Sequence, residues 1–308
     1  VKDIIPADHV FVLTNQVQLE AVKNELTGIV PAEQIVAEPA RRDTAPAIAL
    51  GAALIAAKDS EATMIVLPSD QLIQDESSFQ SLMNEAIVTA SQRQALITVG
   101  IKPTWPCPSY GYIHLGEHVA SSSQGCYKVL QFKEKPDKDT ARGYLNQGGF
   151  VWNAGMFVWS IPTLRRELRE HCPQLDNFIA SYLDADSKDS FIAYNFKDLT
   201  PISIDFALME KAQEVLCFEA TFDWDDVGSW ISVASYLDKT EGNATNSPLA
   251  VLDSKENIIF TSSKNKTVAL LGVDNLIVVD TGDALLVADR TKADSIKKLV
   301  DQLPKSLL

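Results

Sequence analysis

The sequence predicts an α/β protein: a doubly wound, mostly parallel, Rossmann-like sheet followed by a small β domain. Three observations predict it. Strand-like apolar runs alternate with helix-period segments as far as Ile101. One of those runs, Met64-Ile-Val-Leu67, is continuously apolar and closed by Pro68, the pattern of a central parallel strand buried on both faces. Beyond Leu249 the runs are short, with Asn, Asp and Gly turns and no helix between them.

The 308 residues suit a large domain with a smaller one, at 46% hydrophobic and 22% charged residues. The net charge of −14 and the lack of a Lys/Arg run argue against a nucleic-acid partner. An anionic small molecule would need local cations or a divalent metal. Cys107, Cys126, Cys172 and Cys217 are scattered without a Cys-x-x-Cys, which reads as free thiols in a reducing cytosol. No apolar run is long enough to span a membrane, and no signal peptide is visible. His114 and His118 are four apart, but Gly116 lies between them in a strand-like stretch, so a shared metal is not expected.

Lys2–Pro6 reads as the tail of a helix and His9–Thr14 as a strand, so an earlier strand, loop and helix are expected before Val1. Gln16–Leu26 has helical spacing and stops at Gly28; Gln34–Glu38 is a short strand. The polar loop Glu38–Pro46 carries Arg41 and Arg42 and leads into Ala45–Lys58, a helix apolar on nearly every side and therefore buried. Asp43 or Thr44 caps it, and its N-terminus favours anions. Pro68 stops the next strand, leaving Asp70 beyond its carboxyl end, where open α/β sheets bind ligands. Asp70 is either a ligand there or a turn cap.

Ser78–Ala90 is an amphipathic helix and Ala95–Ile101 a strand. Tyr110–Leu115 and Tyr127–Lys135 read as antiparallel strands inserted into the frame, joined by a turn at Ser121–Gly125. Asp137–Leu145 is a helix, Phe150–Trp159 a strand, and helices fill Pro162–Tyr182 and part of Lys188–Phe196. Asp205 caps a helix over Phe206–Ala212, and Val215–Ala220 is a strand. The polar stretch Asn243–Ser247 marks a boundary between domains at 1–242 and 243–308. The second holds strands at Leu249–Leu252, Ile258–Thr261, Thr267–Leu271, Leu276–Val279 and Ala284–Val287, then a helix Lys292–Leu303; their spacing suits a β-helix-like stack.

Three stretches carry chemistry. Phe132-Lys-Glu-Lys-Pro136 offers a lysine for phosphate and a glutamate for sugar hydroxyls, or is a solvated strand end. Trp152-Asn-Ala-Gly155 sets an Asn beside a Gly in a buried strand, to bind a hydroxyl or to satisfy a bulge. Trp224-Asp-Asp-Val-Gly-Ser-Trp230 places two acids before a glycine turn. One acid with Asp70 can hold a Mg²⁺; the alternative is capping of the helix near Ser229, for which Asp226 sits too early.

With Glu38-Pro-Ala-Arg-Arg-Asp-Thr-Ala-Pro-Ala47, Leu67–Asp70, Tyr110–Ile113, Trp152–Phe157, Ser203–Lys211 and Val278–Val287 added, the chain resembles the bacterial mannose-1-phosphate guanylyltransferases, among the sugar-1-phosphate nucleotidylyltransferases. The resemblance covers essentially the whole chain. It implies a GT-A-like nucleotidyltransferase sheet, GTP and mannose 1-phosphate as substrates, GDP-mannose and diphosphate as products, Mg²⁺ as cofactor, a cytoplasmic location and a homodimer. By position it implies Asp70 and Asp226 as metal-binding, Lys135 on the sugar phosphate, and Glu134 and Asn153 on sugar hydroxyls. Gly111 and Tyr112 would line the hexose pocket with Asp205 nearby; Glu38, Arg42, Thr44 and Asp70 would serve the nucleotide. Gln71 and Asp43 stand where His and Asn are common in the family, and neither change removes a metal ligand. The family's Gly-rich triphosphate loop has no counterpart, which predicts poor turnover for the chain as written, and the isomerase domain that some members carry after the transferase is not expected in the sequence up to Leu308. Rival readings are another nucleotide–sugar pair and a regulatory protein that binds nucleotide sugars without turnover.

Overall fold

The computed structural model describes residues 3–119, 125–263, 265–300 and 302–304. Packing divides them into two units, one up to Ser69 with Ile73–Trp224 and one of Asp70–Leu72 with the chain from Asp225 on.

The first unit contains β1 (Val12–Asn15), α1 (Leu19–Glu25), β2 (Ile35–Glu38), α2 (Thr44–Ala56), β3 (Thr63–Val66), α3 (Glu76–Arg93) and β4 (Leu96–Ile101). It continues with β5 (Tyr112–His118), β6 (Cys126–Lys133), α4 (Lys138–Gln147), β7 (Phe150–Ser160), α5 (Ile161–His171), α6 (Pro173–Asp184), α7 (Lys188–Asn195) and β8 (Val215–Glu219). Strands β1 and β2 pair parallel, and a six-stranded sheet runs β3-β7-β4-β8-β6-β5. β4 and β8 are parallel neighbours, whereas β7 runs antiparallel between β3 and β4. The inserted antiparallel material therefore reaches the middle of the sheet.

Side chains alternate along the strands, so the sheet has two apolar faces. Leu96, Phe157 and Trp159 join Ala49 and Leu50 of α2 and Leu164 of α5 on one face. Ile97, Val99 and Val158 join Leu82, Met83 and Ala86 of α3 on the other. α2 is apolar all round and buried along most of its length, and Asp43 caps it by accepting from the Thr44 N–H.

Several local expectations are corrected. β3 is a terminal strand of the six-stranded sheet, not a central one, and only Met64 of it is buried. It is apolar because it covers α2: a Cβ added at Gly51 would lie 3.1 Å from the Met64 Cε. Asp3–Pro6 forms turn and bend, not a helix tail, and Ala7–His9 is a 3-10 turn, so the first strand begins only at Val12. Asp205 is the first residue of a five-residue π-helix, Asp205–Met209, not its cap; the Phe206 N–H bonds Ser203 Oγ instead. The expected turn at Ser121–Gly125 lies outside the described residues except for Gly125.

The second unit holds α8 (Trp230–Val233), β9 (Asp238–Thr240), β10 (Asn243–Thr245), β11 (Leu249–Leu252), β12 (Ile258–Thr261), β13 (Val268–Leu271), β14 (Leu276–Asp280), β15 (Leu285–Asp289) and α9 (Ile296–Val300). β10, β12 and β14 stack parallel, as do β11 and β13, with Ala244, Ile258 and Ile277 in register. That is a β-helix-like coil. Its inside is apolar at these positions, and a buried asparagine pair ties successive turns: Asn257 Nδ2 donates to Asn243 Oδ1 at 2.8 Å. Asn243–Thr245, polar in sequence, is thus a buried strand. The terminal helix is shorter than Lys292–Leu303: Arg290–Ser295 is a 3-10 turn, and residue 301 lies outside the described residues.

Candidate active site

In the second unit, Leu72 and Asp225 form an antiparallel bridge: the Leu72 N–H donates to the Asp225 carbonyl at 2.8 Å, and the reverse bond is 3.1 Å. This pairs the segment carrying Asp70 with the segment carrying Asp226, although they are far apart in sequence. Asp70 is exposed and Asp226 half-buried. The two acids of Asp225-Asp226 have different duties. Asp225 Oδ1 accepts the Val227 N–H at 2.8 Å and Oδ2 accepts the Tyr236 hydroxyl at 3.1 Å, holding Val227 at φ +48°. Asp225 is thus a local brace. A Cβ at Gly228 would lie 2.9 Å from Asp226 Oδ2, so glycine leaves room for that carboxylate. In the first unit, Asp223 accepts from the Gln74 and Asp75 N–H groups, anchoring the chain on either side of these segments.

Among the described residues no three His, Cys, Asp or Glu side chains gather as a metal cluster. Two carboxylates are nevertheless a hard oxygen donor set of the size Mg²⁺ takes from a protein when phosphates and water complete its shell. The residues therefore fit a divalent ion shared with substrate.

A second constellation belongs to the first unit. The ladder between β4 and β7 shifts register between Thr98 and Gly100, which bulges β7 after Asn153. In the bulge Asn153 Oδ1 accepts the Gly155 N–H at 3.1 Å and the hydroxyl of buried Thr98 at 3.1 Å. A backbone N–H can only donate, so this fixes the amide: Nδ2 faces Asp205 and donates to its Oδ1 at 3.0 Å. Nδ2 carries a second hydrogen that can serve a substrate hydroxyl. The sequence left open a bulge or a ligand, and Asn153 fits both readings.

Gly111 lies beside Asn153, its carbonyl accepting the Asn153 N–H at 2.8 Å. A Cβ there would stand 2.6 Å from Glu134 Oε2. Glu134 has its side chain 9% exposed and pairs with Lys135 at 3.0 Å, while the Lys135 side chain is 64% exposed. Lys135 sits at φ +41°, a left-handed strain that packing must hold. The hydrogen bond that Lys135 donates to Glu134 raises its pKa, with the charges of Glu134, Asp205 and Asp43 adding to it, so it stays a cation. Burial, then the charge of Glu134, pushes Asp205 up to about 6. Tyr112 is buried, its ring against Tyr144.

The nucleotide-side residues are more scattered. Thr44 Oγ1 accepts the Ile204 N–H at 2.8 Å, one residue before Asp205. Arg42 turns its guanidinium onto the carbonyls of Lys197 and Arg41. Glu38 ends β2 opposite Asn15, its pKa raised by burial. Of the predicted residues, Gly111, Glu134, Lys135, Asn153 and Asp205 come together in one unit; in the other, Asp70 and Asp226 lie on two segments joined by the Leu72–Asp225 bridge. Thr98, Asp223, Asp225 and Tyr236 were not anticipated. Only Asp225 had a visible sequence signal, as the second acid of its motif.

Two outcomes follow from this geometry. Gly111→Ala displaces the tip of Glu134 and crowds Asn153 Cβ at 3.3 Å but meets no backbone, so Tm should change little by calorimetry; on the function proposed below, the KM for the sugar phosphate should rise about tenfold in steady-state kinetics. Asp205 binds its proton more tightly folded than unfolded, so its contribution to stability falls as pH rises from about 4 to about 6. Asp205→Asn keeps an acceptor for Asn153 and removes that loss. Its unfolding free energy relative to the parent should therefore grow from pH 4 to pH 7, by at most about 3 kcal/mol, read by denaturant titration; a difference independent of pH would contradict the assignment.

The profile of the Nucleotidyl transferase family matches residues 5–243. The chain belongs to this family. In this nucleotidyl transferase, residues 249–303 match a second profile, the MannoseP isomerase/GMP-like beta-helix domain, in keeping with the stacked strands. A putative mannose-1-phosphate guanylyltransferase of Vibrio cholerae is 34% identical over 303 residues, 96% of this chain and 62% of that protein. The Xanthan biosynthesis protein XanB of Xanthomonas campestris is 34% identical over 301 residues, 96% of this chain and 61% of that protein. The chain thus spans about three-fifths of the length of these relatives. A crystal structure described as mannose-1-phosphate geranyltransferase from Thermus thermophilus superposes with a TM-score of 0.86 at 27% identity, covering 98% of this chain and 86% of that one. The nucleotidyl transferase family generally uses a divalent metal. No helix among the described residues is long and apolar enough to cross a membrane.

Proposed function

We propose that this chain carries out guanylyl transfer from GTP to α-D-mannose 1-phosphate, giving GDP-mannose and diphosphate. The observation that supports the reaction class is the Leu72–Asp225 bridge, which pairs the segment carrying Asp70 with the segment carrying Asp226. The choice of GTP and mannose 1-phosphate is supported by the relatives named for that activity.

Phosphoryl chemistry of this kind asks the protein for alignment and charge neutralisation. Asp70 and Asp226 would hold a Mg²⁺, which would supply neutralisation of the phosphate charge. Lys135 holds the sugar phosphate as a fixed cation, so that its oxygen meets the α-phosphorus in line with the departing diphosphate. Asn153, through its second amide hydrogen, and Glu134, as an acceptor, orient the hexose hydroxyls; Gly111 and Tyr112 line the hexose and Asp205 anchors Asn153. Glu38, Arg42 and Thr44 serve the nucleotide side. Residues 1–242 form the catalytic module and 243–308 a β domain, a division supported by the two profile matches, although by packing the second unit already begins at Asp225 and takes in Asp70–Leu72. The protein acts in the cytoplasm, as a homodimer.

The test is diphosphate release from GTP. It should require mannose 1-phosphate, stop when a chelator removes divalent ions and return with Mg²⁺. Release that ignores chelation would remove the metal role; binding of GDP-mannose without turnover would favour a regulatory protein.

A further inference from the structure

The turn that presents Lys135 is strained, and something must hold it. Lys135 sits at φ +41° two residues beyond the end of β6, where strand pairing has ended. The Glu134 N–H at this point has a side-chain partner: it donates to Glu210 Oε1 at 3.0 Å. Glu210 ends the π-helix Asp205–Met209, and its own N–H donates to the Asp205 carbonyl at 2.9 Å. That i to i+5 bond sets Asp205 and Glu210 about one turn apart. One short turn thus grips two sides of the same constellation. Asp205 takes the Asn153 amide, and Glu210 takes the main chain of the Glu134–Lys135 turn.

We propose that Glu210 is a positioning residue for the sugar-phosphate subsite: its carboxylate oxygen, accepting the Glu134 N–H, holds the left-handed turn that aims Lys135. This rests on the guanylyltransferase reading above. A carboxylate accepting a backbone N–H makes a charge-assisted hydrogen bond, stronger than a neutral one. What the turn needs, however, is an acceptor at that place, and an amide oxygen supplies one. Glu210 is exposed, so its replacement leaves the core intact.

The experiment compares Glu210→Ala with Glu210→Gln. In the alanine variant the KM for mannose 1-phosphate should rise roughly tenfold, the size of one such bond, with the KM for GTP within about twofold of the parent. The glutamine variant should recover most of the loss. Amide hydrogen exchange at Glu134 reads the clamp without substrate: it should quicken in Glu210→Ala and stay near the parent in Glu210→Gln. Unchanged exchange, an unchanged KM, an equal rise in both KM values, or a glutamine variant as poor as alanine each overturns the role of Glu210 and leaves the activity standing. A parent protein that makes no GDP-mannose overturns the activity itself, and the subsite role with it.

Discussion

Replacing Asp226 by alanine should lower kcat by about a thousandfold or more, with little loss of Tm. The size follows from the role: a metal ligand that neutralises transferring phosphates is worth several kcal/mol in the transition state, and about 4 kcal/mol is a factor of a thousand. The intact fold follows from the division of labour in Asp225-Asp226. Asp225 holds the Val227 N–H and Tyr236, while the bridge to Leu72 uses only the main chain of residue 225. Removing the carboxylate of Asp226 leaves all of these bonds in place and gives up the long Gly228 N–H bond to its Oδ1, at 3.4 Å. Kinetics at saturating Mg²⁺ and a melting curve check both halves. Near-parental kcat would dismiss Asp226 as a ligand, and a collapsed melting curve would make it structural.

Replacing Lys135 should produce the second-largest loss, a fall of roughly a hundredfold or more in kcat/KM for mannose 1-phosphate, the size of removing one aimed donor from a charged transition state. Glycine is the sharper substitute. The left-handed conformation costs a lysine roughly 1–2 kcal/mol that glycine does not incur. The ion pair with Glu134 is half in solvent on the lysine side and returns little of this. Lys135→Gly should therefore melt no lower than the parent while losing activity, which separates strain held for function from strain held for folding. A glycine variant with lower Tm and unchanged kcat/KM would reverse the assignment.

Much of this was legible in the sequence. Period and punctuation placed the buried α2, the antiparallel insertion and the short strands of the second unit, because each pattern reports directly on burial. Asp70, Asp226, Lys135 and Asn153 were legible as motifs. Other features depend on pairing between distant segments, which no local pattern records. The run Met64–Leu67 suggested a central strand, yet β3 is terminal, because apolar cover for α2 and cover from two neighbouring strands look alike in sequence. Asp205 read as a cap because an acid before a helical pattern usually is one; here its carboxylate serves Asn153 and the turn is a π-helix. Thr98 carries no signal at all, being one hydroxyl inside an apolar strand. Asn243–Ser247 read as a polar boundary, but inside a stacked coil Asn243 is paired by Asn257 and Thr245 donates to the Ser247 carbonyl.

The most direct test of the account is a competition. The protein is incubated with Mg²⁺, equal concentrations of GTP, ATP, UTP and CTP, and equal concentrations of mannose 1-phosphate and glucose 1-phosphate, and the nucleotide sugars formed are resolved by chromatography and mass. Guanylyl transfer to mannose predicts GDP-mannose as the dominant product, lost when Asp226 is replaced by alanine. A different nucleotide sugar in excess, or GDP-mannose formed equally by the alanine variant, would contradict it.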